Sequence, residues 1–189
     1  MIYVVGPRDK KFTSNKPVIM TVSVAKDWGK GLSPFFLGPC ELYNNFIAKN
    51  VENAWQFTKV YSTHVDELGN PTKEYFEWAK DGWNNPKAQR YPMGKGSIPE
   101  YSYWNGKKMS YIEARREIYI PLYSKAVQKT SAFDTLQLYH ELEKDLYLWD
   151  FDGYNHRAYN MTWDEVINCN TKKMGHAFVL AMLLEGYLK

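Results

Sequence analysis

Glu52, Gln56 and Lys59 fall at i, i+4 and i+7 in the stretch Lys49 to Tyr61, KNVENAWQFTKVY. On a helix, a carboxylate, an amide and an ammonium would share one line beside an apolar stripe. A carboxylate so placed can act as a general base or stabilise a developing cation, and the ammonium can hold an anion. The same spacing describes solvated charges flanking a core helix, and spacing alone does not choose. Asp150 and Asp152 close the run LYLWDFD and, on a strand, would project from the same side. Arg115 and Lys125 fall beside or within an apolar helical stripe, where an unpaired charge is costly. Ion pairs at helix and strand ends account for these four charges equally well. Arg90 and Lys95, with the backbone of Gly94 and Gly96, can hold a phosphate or form a solvated basic loop. Trp55 and Trp104 can stack on a flat ligand, although a content of 16% aromatics suits a Tyr-rich core as well.

Those side chains need elements to hold them. Val51, Ala54, Trp55 and Thr58 recur at helical spacing with Asn50 as N-cap, which predicts a helix over 49–61. Ile2 to Val5 and Val18 to Ser23 read as two strands, in a hairpin joined by Gly6, Pro7 and a polar turn. Lys26 to Pro39 reads as a Gly- and Pro-punctuated loop with a brief strand at Phe35 to Leu37, and Glu41 to Ile47 as a strand or hairpin turning at Asn44 and Asn45. A helix is expected from Thr72 to Lys80, ending at Gly82. Trp83 to Trp104 has neither period and reads as a long ordered loop near the site. Ser110 and Glu113 form a capping box, with Met109 and Ala114 as staple, for a helix to Lys129 that Pro121 should kink. Ala132 to Glu143 follows as a helix, Leu146 to Phe151 as a core strand, and Thr162 with Glu165 as a second capping box. Met174 to Leu188 is apolar nearly all round, so it is either central to the fold or buried in a homodimer contact. The sum is a helix-dominated α+β single domain, residues 1–189, with a small β-sheet.

A chain of 189 residues with 44% apolar residues can bury one ordinary core. The net charge of +3 comes from scattered Lys and Arg, which permits a polyanion partner without indicating one. Cys40 and Cys169 belong to no zinc or disulfide spacing, and no cofactor or metal motif is read. Neither a signal h-region nor a membrane span is read, so the expected location is the cytoplasm. LYLWDFDG invites comparison with the DxDG nucleophile strand of haloacid-dehalogenase phosphatases. Fewer than forty residues follow it, however, and Tyr154 stands where that family has Thr. PMGKGS lacks the spacing of a Walker P-loop. The four histidines show no HxxxH or HExxH spacing and read as structural or surface groups.

Taken as an ordered series, these segments resemble the NADAR family, the N-glycosidases that act on riboflavin-pathway intermediates or remove ADP-ribose from guanine. The family's opening motif near LSNF is matched by Leu32-Ser33-Pro34-Phe35, and its block near VEHAYQAQK by Val51 to Lys59. Arg115, Ile118-Tyr119 and Lys125 lie on its next helix, Leu146 to Asp152 on its acidic strand, and Met174-Gly175 on the start of its closing helix. Its Trp-Gly after the acidic strand is absent here, its His beside the Glu is Asn53, and the 83–104 segment looks like an insertion. The resemblance implies a NADAR-like domain that cleaves the C1′–N bond of a nucleotide-like or ADP-ribosylated-base substrate, free or within modified nucleic acid. It further implies Glu52 as the essential acid, with Asp152, then Asp150, on the ribose hydroxyls or sharing the base role. Lys59, Gln56, Arg115 and Lys125 would lie toward phosphate or leaving base, with Trp55 or Trp104 stacked on the base. Rival readings are a base-exchanging glycosyltransferase, a non-catalytic nucleotide or nucleic-acid binder, and an interaction protein built on the C-terminal helix.

Overall fold

The computed structural model describes residues 1–9, 17–143 and 145–189. In chain order the elements are β1 (Ile2–Val5), β2 (Val18–Met20), β3 (Cys40–Glu41), β4 (Ile47–Ala48), α1 (Val51–Gln56), β5 (Lys59–Val60), α2 (Lys73–Asn84), β6 (Tyr101–Trp104), β7 (Lys107–Met109), α3 (Tyr111–Ala114), α4 (Ile120–Val127), α5 (Ser131–Leu142), β8 (Leu146–Trp149), α6 (Trp163–Asn168) and α7 (His176–Leu184). The fold is α+β, with more helix than strand. Among the described residues the strands form not one small sheet but three, ordered β1-β8-β2, β3-β4 and β5-β6-β7. The chain divides into two compact units, Met1–Ser33 with Tyr123–Lys189, and Pro34–Leu122.

In the first unit β8 is the middle strand. Leu146 and Leu148 are buried while Tyr147 and Trp149 lie on the opposite, half-exposed face, the period-2 alternation of a sheet with one covered side. β1 and β2 both pair with β8 in parallel, in register Ile2↔Leu146 and Val18↔Tyr147. The expected β1–β2 hairpin is therefore wrong, and residues 10–16 of its turn lie outside the described residues. α7 packs on β1 and β8. His176 to Met182 are buried without interruption. A side chain such as Phe178 or Leu180 contributes roughly 1.5–3 kcal/mol by leaving water. This helix is central to the fold, and its apolar surface is used inside the unit, which removes the ground for a dimer through it. Trp28–Leu32 forms a 3₁₀ turn started by the Asp27 carboxylate, with Trp28 stacked on Tyr139 of α5.

In the second unit Asn44 and Asn45 adopt the left-handed conformation that turns β3 into β4, and Asn105 with Gly106 does the same between β6 and β7. Phe35–Leu37 is a turn, not a strand. α2 runs through Gly82 rather than stopping there. A Cβ at that position would meet the Phe57 ring at 2.0 Å, so the glycine serves close packing within the helix, not its end. Ala48, Ala54, Phe57, Val60, Tyr75, Ala79 and Trp83 form the core. The expected long helix from Ser110 is broken: after the capping box of Ser110 and Glu113, Arg115–Tyr119 form a π turn before α4 begins. Pro121 lacks an N–H and its ring crowds the preceding turn, so the ladder opens just upstream of it. The kink is thus a widened turn.

Candidate functional site

α1 is shorter than the sequence suggests, because it ends at Gln56 with Phe57 as its C-cap and Lys59 enters a strand against Ser102. Its first turn is closed by local groups. The Asn50 side chain accepts from the Asn53 N–H at 2.8 Å, the Val51 N–H donates to the Leu37 carbonyl at 2.8 Å, and the Glu52 N–H donates to the Pro34 carbonyl at 3.0 Å. Pro34 and Leu37 thus fix the start of the Glu52 helix, and these three N–H groups are already engaged.

Glu52 is only 6% exposed. The Gln56 Nε2 donates to its Oε1 at 2.9 Å, and the Lys59 Nζ donates to the Gln56 Oε1 at 2.6 Å. An ammonium can only donate, so the amide oxygen must face Lys59 and the amide nitrogen must face Glu52. The expected line of carboxylate, amide and ammonium is therefore present, although Lys59 has left the helix. Its ammonium lies 5.1 Å from the Trp55 ring, which is itself 5.2 Å from the ring of Tyr119 on the π turn. Arg115, at the start of that turn, is 1% exposed, with its guanidinium 4.6 Å from the Tyr111 ring. Tyr119 was not legible as a site neighbour, because its contact with Trp55 depends on the widened turn.

The long irregular stretch is shorter than expected, since α2 takes its first two residues and β6 its last four. Its start is fastened to α1 by the Asn53 side chain, through the backbone of Asn85, Lys87 and Gln89. Arg90 follows directly, half-buried, with its guanidinium 5.5 Å from the Tyr91 ring. Trp104 sits edge-on to Tyr43 at 4.8 Å, and Tyr43 also meets Phe46 and Trp83. Burial, aided by Tyr103, pushes the Tyr43 hydroxyl up to about 12. Trp104 thus belongs to an aromatic group that builds the unit.

Asp150, Asp152 and Lys125 belong to the first unit. β8 ends at Trp149, so the two carboxylates do not project from one side of a strand. Asp150 is buried. Its Oδ1 accepts from the Asp152 N–H at 3.0 Å, and its Oδ2 accepts from the Ala177 N–H at 3.2 Å and lies 3.0 Å from the His176 Nδ1. A Cβ on Gly175 would come within 2.3 Å of that oxygen, so glycine is required where α7 starts. The other ring nitrogen of His176 lies 2.7 Å from the Thr21 carbonyl, which can only accept. Burial alone pushes the Asp150 carboxyl up, but the charge and hydrogen bond of His176 and the two backbone N–H groups outweigh it and hold the pKa at about 2. Asp150 thus ties the end of β8 to the start of α7. The histidine that completes this pair carries no motif, because its partner lies 26 residues away in sequence. Asp152 is partly exposed, 3.9 Å from the Lys173 ammonium, and Lys125 is exposed.

Among the described residues no group of three or more His, Cys, Asp or Glu side chains is placed to hold a metal ion, and no helix is long and apolar enough to cross a membrane. No family model, curated protein or solved structure matches this chain.

Proposed function

We propose that the protein is an N-glycosidase that cleaves the C1′–N bond of a nucleotide-like or ADP-ribosylated-base substrate. The observation that carries this reading is the buried Glu52 carboxylate, oriented by an amide whose own direction is set by Lys59. The motif order shared with NADAR proteins supports the same reaction class.

The chemistry asks for what such a carboxylate offers. As the C1′–N bond breaks, its electron pair leaves with the base and positive charge builds on the sugar ring. A negative group beside C1′ stabilises that charge, and the same group can take the proton of the attacking water. Oxygen then bonds to C1′, and the departing base gains a proton. Holding Glu52 out of bulk water strengthens its field at the sugar. Trp55 offers a face to the base, and Lys59 and Arg115 offer positive charge.

The test is incubation with a panel of nucleotides, ADP-ribosylated guanine and modified DNA, followed by mass-spectrometric detection of freed base. Glu52→Gln should remain folded and lose base release by about 10²–10⁴-fold. Turnover by that variant at the wild-type rate would remove the assignment.

A further inference from the structure

Asn53 stands next to Glu52, is fully buried, and spends its whole side chain on another segment. Its Nδ2 donates to the Asn85 carbonyl at 2.9 Å and to the Lys87 carbonyl at 3.0 Å, and its Oδ1 accepts from the Gln89 N–H at 2.8 Å. The two carbonyls can only accept and the N–H can only donate, so the amide has one orientation. No other small side chain meets all three partners. Asp would set a carboxylate oxygen against two carbonyl oxygens, and Ala would leave three backbone groups without that partner. The Asn85 side chain tightens the same turn by accepting from the Lys87 N–H at 2.9 Å. The residue after the last clamped position is Arg90, the start of a basic segment that also carries Lys95.

The geometry points to Asn53 as a positioning residue that sets the 85–90 segment on the Glu52 helix and so places Arg90 to bind the phosphate part of the substrate. This rests on the N-glycosidase reading for what the arm binds, but the clamp itself does not. A bonded clamp this close to the proposed base makes substrate affinity depend on a residue that touches no substrate.

The full-length chain is compared as wild type, Asn53→Asp, Gln89→Pro, Arg90→Ala and the Asn53→Asp/Arg90→Ala double variant. Gln89→Pro removes the clamping N–H from the loop side and leaves α1 intact, so it covers the case in which Asn53→Asp fails to fold. Two quantities are read: the rate of trypsin cleavage after Arg90, and the Kd for ADP-ribose by calorimetry. Asn53→Asp and Gln89→Pro should each be cut at least tenfold faster and bind ADP-ribose about tenfold more weakly. The double variant should bind no more weakly than Arg90→Ala, because Asn53 acts through that side chain. Faster cleavage with unchanged affinity, additive losses in the double variant, or no measurable binding by wild type would each overturn the proposal. Glu52→Gln should keep trypsin resistance. If it also keeps base release, the glycosidase reading fails while the clamp result stands.

Discussion

Glu52 and Asp150 are both carboxylates within 6% of full burial, yet their partners differ in kind. Asp150 is held by two backbone N–H groups and a histidine that reaches on to a third backbone group, so its charge joins pieces of the fold. Glu52 is held by a side chain one turn along its own helix, and that side chain is in turn oriented by an ammonium. A carboxylate bound to backbone is set once, when the chain folds. One bound to a neighbouring side chain can exchange its partners when a substrate arrives.

The comparison is most exposed at Asp150. Removing one member of a buried ion pair leaves the other uncompensated, so Asp150→Asn should cost about 3–5 kcal/mol in urea unfolding at pH 7. Glu52→Gln in the same experiment should lose much less, and equal losses would erase the distinction. Acid sharpens it further. His156 is buried against Trp163, with its Nδ1 lacking a partner among the described residues. Burial, aided by Arg157 and opposed by Glu185, lowers its pKa to about 4. The unfolded chain takes up that proton near pH 6.5 and the folded one only near 4. The contribution is therefore intact above 6.5 and falls away as pH drops through that window, by at most about 3 kcal/mol. Asp150 acts lower. Its carboxyl is depressed from 3.8 to about 2, so its stabilisation is present above 3.8 and is lost between 3.8 and 2. His156→Phe should abolish the upper step in stability against pH and leave the lower one. A single unchanged acid transition in that variant would show that His156 is not its source.

Helix-start signals in the sequence were reliable, and distant pairings were not. Asn50, Ser110 and Thr162 cap the helices they were expected to cap, because a cap bonds within three residues. Asn105-Gly106 marks its hairpin just as locally, and an irregular reading of everything up to Trp104 overlooks it. The two parallel pairings of β8 could not be read from alternation, which gives a strand its faces but not its neighbours. The same limit applies to the sites. The Glu52, Gln56, Lys59 line follows from helical spacing and persists even though α1 ends at Gln56, since Lys59 needs only to reach back one turn. The Asp150–His176 pair and the Asn53 clamp depend on tertiary placement, so Asp150 was read for chemistry and Asn53 only as a departure from the resembled family's His.

The smallest expected effect probes the relay itself. Gln56→Met removes the amide with little change of volume, so stability should fall by about 1.5–3 kcal/mol. Base release should fall about tenfold as Glu52 loses its fixed direction. That result alone does not separate lost orientation from a general loosening of α1, but Gln56→Glu does. The new carboxylate would still accept from Lys59, yet it would present an acceptor, and negative charge, to Glu52. Two carboxylates one turn apart out of bulk water disfavour double ionisation, so the proton on Glu52 is held more tightly. A general base must be unprotonated to work, and the acidic limb of the pH–rate profile should therefore move to higher pH in this variant and stay in place in Gln56→Met. If both variants lose rate with the limb unmoved, the amide is merely packing, and Glu52 would be set by its fold as Asp150 is.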